Sequence, residues 1–271
     1  MPRFCANLSM LFTEHAWLDR FQAAADAGFK AVEIQFPYDW PPEVLAQRCH
    51  QAGLQLVLHN LPAGNWEAGD RGIACDPARR AEFERGVEQA IRYALALGCT
   101  QLNCLSGIPP PTVPERVAQE TFVANLRLAA RALHPAGIRL LIEPINRRDV
   151  PGFFLERIGQ AARIADAVAA ENLFIQLDVY HAQRTEGELT ATLAEHLSRI
   201  AHIQVADNPG RHEPGSGEIN YRYLFEQIDR LGYSGWIGCE YRPLGATRAG
   251  LGWIEQLARA SDVHSRPGAR P

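Results

Sequence analysis

Short apolar runs alternate with longer amphipathic segments along the whole chain. The apolar runs predict eight strands, over Phe4–Leu8, Ala31–Phe36, Leu54–His59, Thr100–Leu105, Arg139–Ile145, Leu173–Val179, Ala201–Ala206 and Gly235–Tyr241. The segments between them predict helices, most clearly over Trp17–Ala27, Pro42–Ala52, Arg79–Leu97, Glu115–Leu133, Glu156–Ala169 and Tyr221–Leu231. A helix between two strands returns the chain to the same end of the sheet, so neighbouring strands pair in parallel. Eight such strands favour a single closed (β/α)8 barrel over an open sheet.

The joints between helices and strands form a weak internal repeat. Glycine follows five predicted helices, at Gly28, Gly53, Gly98, Gly137 and Gly232. Glycine readily takes the left-handed conformation that ends a helix, so these positions mark predicted helix ends. Proline or an acidic residue marks helix starts near Pro42, Asp76 and Pro114.

Length and composition suit one domain. The chain has 271 residues, of which 46% are hydrophobic, enough for one soluble barrel with a sizeable core. We expect residues 1–260 to form the catalytic barrel and residues 261–271 to form a flexible C-terminal tail. The first strand–helix turn lacks Gly-x-Gly-x-x-Gly, which disfavours a dinucleotide-binding sheet.

Charge and targeting signals narrow the expected partners. The net charge is −4 without a long basic run, so we expect neither nucleic acid nor a membrane surface as a partner. The amino terminus lacks the apolar region of a signal peptide, and no run reaches about 18 apolar residues. Six cysteines without a Cys-x-x-Cys pair indicate reduced thiols in a cytoplasmic protein. A homo-oligomer is a further expectation, with the long segment Gly64–Asp76 as a candidate contact.

One feature of the composition excludes a whole class of chemistry. Lys30 is the single lysine among 27 basic residues. It stands just before a predicted strand, at the end of the barrel opposite to the usual active site. A Schiff-base mechanism through lysine therefore has no residue to use.

Oxygen-bearing side chains occur near the carboxyl ends of four consecutive predicted strands, at Glu143, Asp178, Gln204 and Glu240. Active sites of (β/α)8 barrels lie at this end, where alternate side chains of each strand point into the barrel. Each acid alone is equally well explained as an ion-pair partner of an arginine. Four such residues on consecutive strands favour a common site.

Converging carboxylates would repel each other and lose their solvation, so a bound cation is the natural resolution. Three carboxylates and one amide oxygen form a hard, all-oxygen ligand set. Such a set favours one Mg²⁺ or Mn²⁺ ion over zinc. The sequence therefore predicts one divalent-metal site at these four residues.

Five segments around these residues resemble the hydroxypyruvate isomerase family of xylose-isomerase-like barrels. They are Glu143–Asn146, Asp178–His181, His202–Asp207, Arg211–Tyr221 and Gly238–Tyr241. The stretch Arg-x-Glu-Pro-Gly-x-Gly-Glu within the fourth segment is the most specific, and the resemblance runs from Phe4 to about Ala260. It implies aldose–ketose isomerisation, with the metal at the four residues above and with Glu143 and Glu240 moving protons. Many relatives have histidine where Gln204 stands, which leaves the identity of the metal open.

The leading hypothesis is metal-dependent interconversion of hydroxypyruvate and tartronate semialdehyde through an enediolate. A close alternative is the same reaction on a four-carbon acid, 2-oxo-tetronate. A ketose 3-epimerase would reuse the metal and the two glutamates but act on a neutral sugar. An endonuclease of this fold would need several metals and a basic face, and a sugar-acid binding protein would not need two proton-transferring carboxylates.

Other residues are candidates for contacts with a small sugar-acid substrate. His181 could donate a hydrogen bond to a substrate oxygen, and Arg211 could bind a carboxylate through two hydrogen bonds. His59 ends the third predicted strand, where it could line the pocket or bond to backbone. Glu33 is expected to point into the barrel as a buried, hydrogen-bonded acid. His202, one inward position before Gln204, is expected to support Gln204 or to pack in the core.

Overall fold

The computed structural model describes residues 2–257 and shows a closed eight-stranded parallel barrel. Its strands are β1 (Arg3–Asn7), β2 (Ala31–Ile34), β3 (Gln55–Asn60), β4 (Gln101–Cys104), β5 (Arg139–Ile142), β6 (Leu173–Asp178), β7 (Ile200–Val205) and β8 (Trp236–Cys239). Each strand pairs with the next along the chain, and β8 pairs with β1 to close the cylinder. The predicted (β/α)8 barrel is confirmed, and each predicted strand overlaps an observed one.

Helices connect most of the strands and surround the barrel. They are α1 (Arg20–Asp26), α2 (Pro42–Ala52), α3 (Arg80–Leu97), α4 (Glu115–Leu133), α5 (Ile158–Val168), α6 (Val179–Thr185), α7 (Leu189–His196) and α8 (Tyr221–Arg230). The helices α6 and α7 have no counterpart among the clearest predicted helices. With seven and eight residues, they are too short to show a clear helical period.

Two apolar clusters hold the barrel together. The larger one lies between the strands and the helices, and it contains large buried side chains such as Phe21, Phe122 and Phe225. Strands of a parallel barrel are covered on both faces, which explains their nearly continuous apolar runs. A smaller cluster inside the barrel includes Cys5 and Leu141. Each of these stands two residues before a polar side chain of the mouth, so the interior changes from apolar to polar along the strands.

The alternation of side chains is broken at two places inside the barrel. The β2–β3 pairing shifts register between Val32 and Glu33, and the consecutive residues Val57 and Leu58 both belong to the interior cluster. The β6–β7 pairing shifts between Ile175 and Gln176. Such bulges change which side chains of the following residues face inward.

The predicted tail, residues 261–271, lies outside the described residues, as do the last three residues of the predicted domain. Across the described stretch, none of the helices combines the length and the apolar character that a bilayer crossing requires.

All five glycines predicted at helix ends have a positive φ. At Gly98, which ends α3, φ is 62° and a Cβ would meet no atom within 4 Å. The end of α5 differs, because Ala169 takes the left-handed conformation there with φ of 54°. A side chain with a Cβ is strained in this conformation.

These two helix ends form a matched test of backbone strain. We expect Gly98→Ala to lower the free energy of unfolding by about 1 kcal/mol, because it places a Cβ in a left-handed residue. We expect Ala169→Gly to raise it by roughly 0.5 kcal/mol, since relief of strain exceeds the added chain entropy. Urea denaturation measures both, and shifts of the same sign would contradict the assignment.

Candidate active site

The polar mouth of the barrel encloses a cavity of about 120 Å³ at the carboxyl ends of the strands. Glu143 follows β5, Gln204 lies on β7 and Glu240 follows β8, and all three line the cavity. Asp178, the last residue of β6, is paired in register with Gln204. All four predicted ligands are at most 5% exposed, and the structure brings them to the same mouth.

Distances link the acidic members of this set. Ligand atoms of Glu143, Asp178 and His181 lie within 4.8 Å of one another. The guanidinium of Arg211 bridges two of the carboxylates, with Nη2 2.8 Å from Glu240 Oε2 and 3.4 Å from Asp178 Oδ2. The three carboxylates therefore share one small, water-poor space, as the spacing along the strands predicts.

Burial raises the pKa of all three carboxyl groups. The pKa of Glu143 lies well above its usual value because of burial, followed by the charges of Glu240 and Asp178. Burial also raises the pKa of Asp178, although Arg211 opposes it. For Glu240, burial outweighs the opposing effect of Arg211 and raises the pKa to about 7. Positive charge in the mouth is thus needed to keep the whole set ionised.

Arg211, predicted to bind a substrate carboxylate, is already engaged with protein carboxylates in this structure. Burial alone would lower its pKa, but Glu240, Asp178 and Glu143 raise it above its usual range. Its guanidinium also lies 5.0 Å from the centre of the Tyr180 ring. It therefore supplies one of the positive charges that the carboxylates require.

Glu33 is a buried, hydrogen-bonded acid, as predicted. Its carboxylate accepts hydrogen bonds from His202 Nε2 at 2.6 Å, Gln204 Nε2 at 2.8 Å and Asn7 Nδ2 at 2.9 Å. Burial alone would raise the pKa of Glu33, but His202 and these hydrogen bonds lower it. The backbone of β8 leaves room for this acid, because a Cβ at Gly238 would lie 2.4 Å from Glu33 Oε2.

The contact with Glu33 also fixes the amide of Gln204. Its nitrogen donates to Glu33, while its oxygen accepts from Gln176 Nε2 at 2.6 Å. Gln176 lines the cavity, and its own Oε1 is a buried oxygen that has no hydrogen-bond partner among residues 2–257. Both glutamines line the cavity, so amide oxygens accompany the carboxylate oxygens there.

The donor set suits a hard divalent ion. Three carboxylates and the amide oxygens of Gln204 and Gln176 make oxygen the main ligand type at the mouth, with the ring nitrogen of His181 beside Glu143 and Asp178. Mg²⁺ and Mn²⁺ prefer such ligands. The residues present therefore fit the predicted type of metal.

His181 lies at the mouth, although on a helix and not at a strand end. Asp178 is the N-cap of α6, and its Oδ1 accepts from Tyr180 N at 2.8 Å, which places His181 on the first helical turn. His181 Nδ1 lies 2.6 Å from Asn146 Nδ2, and its Nε2 lies 3.5 Å from Asp178 Oδ2. Burial, followed by the charges of Arg211 and Arg184, lowers the pKa of His181 well below its usual value. The ring is therefore a neutral hydrogen-bonding group facing the cavity.

The structure does not bring His59 into this cavity. Its Nδ1 lies 3.1 Å from the backbone oxygen of Asn60, and its ring packs edge-on against Tyr38. Burial lowers the pKa of His59 to about 4. The neighbouring Leu58 and Asn60 line the cavity instead, because the irregular β2–β3 register changes the alternation along β3.

Several amides of the mouth were not among the predicted site residues. Asn103 Nδ2 donates to Glu143 Oε2 at 2.8 Å, and Gln35 Nε2 donates to Glu240 Oε1 at 2.6 Å. Asn7 Nδ2 also approaches Glu240 Oε1 at 3.3 Å. The signal for them was the same as for the acids, namely a polar residue at an inward position near a strand end.

The glycine-rich segment after β7 is organised by Asp207. Its carboxylate accepts hydrogen bonds from the backbone nitrogens of Asn208 at 2.9 Å, Gly215 at 2.8 Å and Ile219 at 3.1 Å. The backbone oxygen of Asp207 accepts from the backbone nitrogen of Arg211 at 2.8 Å. The segment thus holds the Arg211 backbone in place at the mouth.

Comparison with known proteins identifies the family. A family model described as xylose isomerase-like TIM barrel matches residues 21–257. The chain belongs to this family. Hydroxypyruvate isomerase of Escherichia coli (strain K12) is 52% identical over 255 residues, which cover 94% of this chain and 99% of that protein. The 2-oxo-tetronate isomerase of Cupriavidus necator is 47% identical over 255 residues, with 94% and 98% covered.

A solved structure supports the same assignment of the fold. It is described as AP endonuclease, family 2, from Brucella melitensis, and it matches with a TM-score of 0.92 at 45% identity, covering 94% of this chain and 99% of that one. The identity to the curated relatives confirms the resemblance to the hydroxypyruvate isomerase family. The chain is an isomerase of this family.

The buried acid under the mouth gives a test of stability. We expect Glu33→Gln to lower the free energy of unfolding by about 3 kcal/mol, because a neutral amide cannot accept all the hydrogen bonds of His202, Gln204 and Asn7. Urea denaturation measures this loss. Glu82→Gln, on the partly exposed surface of α3, is the control and should cost less than about 1 kcal/mol. Equal losses in the two variants would contradict the role of Glu33.

Proposed function

We propose that this isomerase interconverts hydroxypyruvate and tartronate semialdehyde with the help of one divalent ion. The single observation that carries the proposal is the pair Glu143 and Glu240, two buried carboxylates that line the same small cavity beside further oxygen ligands. The isomerase names of the relatives agree with this chemistry. Mg²⁺ or Mn²⁺ would be held by Glu143, Asp178, Gln204 and Glu240.

The reaction moves hydrogen atoms without any net oxidation. Hydroxypyruvate has its carbonyl at C2 and a hydroxyl group at C3. A proton leaves C3 and a proton is added at C2, while the hydroxyl proton on the C3 oxygen is exchanged for one on the C2 oxygen. The bound ion would supply positive charge where the enediolate oxygens become negative.

The residues of the mouth can divide this work among themselves. One of Glu143 and Glu240 removes the C3 proton and the other delivers a proton to C2, with the roles exchanged in the reverse direction. The neutral ring of His181 can hydrogen-bond to a substrate oxygen. Asn103 and Gln35, which donate to these two glutamates, hold the carboxylates in orientation.

The four-carbon acid 2-oxo-tetronate is the second candidate substrate, because a relative with that name is 47% identical. It differs by one hydroxymethyl group and undergoes the same proton transfers. A ketose 3-epimerase would use the same two glutamates at a different carbon of the substrate. An endonuclease of this fold would have to bind a phosphodiester in the mouth. The cavity of about 120 Å³ favours a small acid over the backbone of a nucleic acid.

Turnover with and without metal tests the proposal. In D₂O, NMR should show conversion of hydroxypyruvate with deuterium at C2 of the product, since the added proton comes from a group that exchanges with solvent. We expect EDTA to abolish conversion, and Mg²⁺ or Mn²⁺ to restore it. A parallel assay with 2-oxo-tetronate compares kcat/KM for the two acids. Conversion that persists unchanged after complete removal of metal would refute the metal-dependent mechanism.

The two glutamates can be tested separately. We expect Glu143→Gln and Glu240→Gln each to lower kcat by about 10³-fold, because an amide cannot accept a proton from carbon. Circular dichroism should show that both variants remain folded. Glu82→Gln serves again as a control with unchanged kcat. A loss below about tenfold in either variant would remove that residue from the proton transfer.

A further inference from the structure

Two arginines line the cavity in the described part of the chain, Arg71 and Arg211. They differ in their partners. Arg211 pairs with Glu240 and Asp178. Arg71, by contrast, has no carboxylate of residues 2–257 within ion-pair distance, and its Nη1 donates only to the backbone oxygens of Trp66 at 3.1 Å and Asp70 at 2.7 Å.

The position of Arg71 is fixed by its surroundings. Its guanidinium carbon lies over the Trp66 ring, 4.1 Å from the ring centre, and this cation–π contact restrains the group. Trp66 in turn packs against Phe36, with ring centres 5.1 Å apart, and both aromatic residues line the cavity. Trp66 is 44% exposed, so part of its ring remains accessible to a molecule that enters the cavity.

The segment that carries Arg71 is anchored at both ends to the barrel. Asp70 pairs with Arg79 at 2.8 Å, at the start of α3. Next to Arg71, Gly72 has φ of 109°, and a Cβ there would lie 2.5 Å from the backbone oxygen of Leu105. The guanidinium is therefore presented to the cavity by a closely packed loop.

Among residues 2–257, the carboxylates of the mouth have other partners and none pairs with Arg71. Glu143, Asp178 and Glu240 carry three negative charges when ionised, which Arg211 and the one divalent ion of the proposed function would balance. The Glu33 carboxylate is hydrogen-bonded to His202, Gln204 and Asn7 and does not contact Arg71. The positive charge of Arg71 therefore remains for a group that enters from outside, and a planar guanidinium matches a carboxylate best.

We propose that Arg71, stacked on Trp66, binds the carboxylate of the substrate and restricts this cavity to 2-oxo acids. This inference rests on the proposed function, because it assumes that isomerisation occurs between Glu143 and Glu240. The carboxylate lies against Arg71, and the carbonyl and hydroxyl carbons extend towards the two glutamates. Arg211, predicted from the sequence for this task, is left to balance the protein's own carboxylates.

Binding of an unreactive acid tests the inference without turnover. Glycerate has a carboxylate and two hydroxyl groups but no ketone or aldehyde group, so it cannot isomerise. Glycerol is its neutral counterpart. With Mg²⁺ present, calorimetry should show that Arg71→Ala weakens glycerate binding about 100-fold, with Arg71→Lys in between, since a charge-assisted bidentate contact is lost. Affinities for glycerol and for Mg²⁺ should stay within about twofold.

Kinetics provide the second measurement. We expect Arg71→Ala to lower kcat/KM for hydroxypyruvate by about 10²- to 10³-fold, with a large part of the loss in KM. Arg148→Ala is the matched control, because Arg148 is an exposed arginine near the same mouth and outside the cavity lining. It should change both measurements less than about threefold.

The outcomes separate this inference from the proposed function. If the wild-type protein converts hydroxypyruvate but Arg71→Ala binds glycerate and turns over substrate as well as Arg148→Ala does, the role of Arg71 is refuted and the function stands. If the wild-type protein neither converts a 2-oxo acid nor binds glycerate, both are refuted. If Arg71→Ala lowers the affinities for glycerate and for Mg²⁺ equally, the role of Arg71 is also refuted, since the effect would then come from the metal site.

Discussion

The structure of this isomerase depends on the confinement of three carboxylates in one barrel mouth. Glu143, Asp178 and Glu240 are nearly inaccessible to water, and each would by itself tend to take up a proton. Much of the polar interior can be understood as compensation for this. Arg211 contributes a positive charge, and amides of the neighbouring strands donate hydrogen bonds to the carboxylates. The remaining deficit of positive charge is what makes the mouth suited to a divalent cation.

Much of the architecture was predictable from the sequence because a parallel barrel repeats simple local rules. Buried strands appear as apolar runs, helix ends appear as glycines, and strand ends define one level at which side chains converge. Those rules were sufficient to bring Glu143, Asp178, Gln204 and Glu240 together. They predict that a residue lies at the mouth, but they do not predict which residues it contacts there. Its role depends on those contacts. Arg211 illustrates this, because its engagement with protein carboxylates depends on the folded loop after β7.

Two kinds of residue escaped prediction for different physical reasons. The placement of His59 depends on a register irregularity between β2 and β3, which simple alternation along one strand does not contain. Arg71 lies in a loop far from any strand end in the sequence, and its approach to the cavity depends on packing against Trp66 and on the close passage of Gly72 beside Leu105. Loops of this kind differ among proteins of one fold, and they carry much of the choice of substrate.

The close approach of the Glu33 carboxylate to the backbone at Gly238 has a consequence for how this sequence can diverge. No side chain fits at position 238 while Glu33 occupies its place, and Glu33 cannot leave without releasing His202 and Gln204. The residues at four positions on three strands therefore depend on one another, namely Glu33, His202, Gln204 and Gly238. A substitution at one of these positions alone should give a less stable protein. Substitutions at these positions should therefore occur together among related sequences.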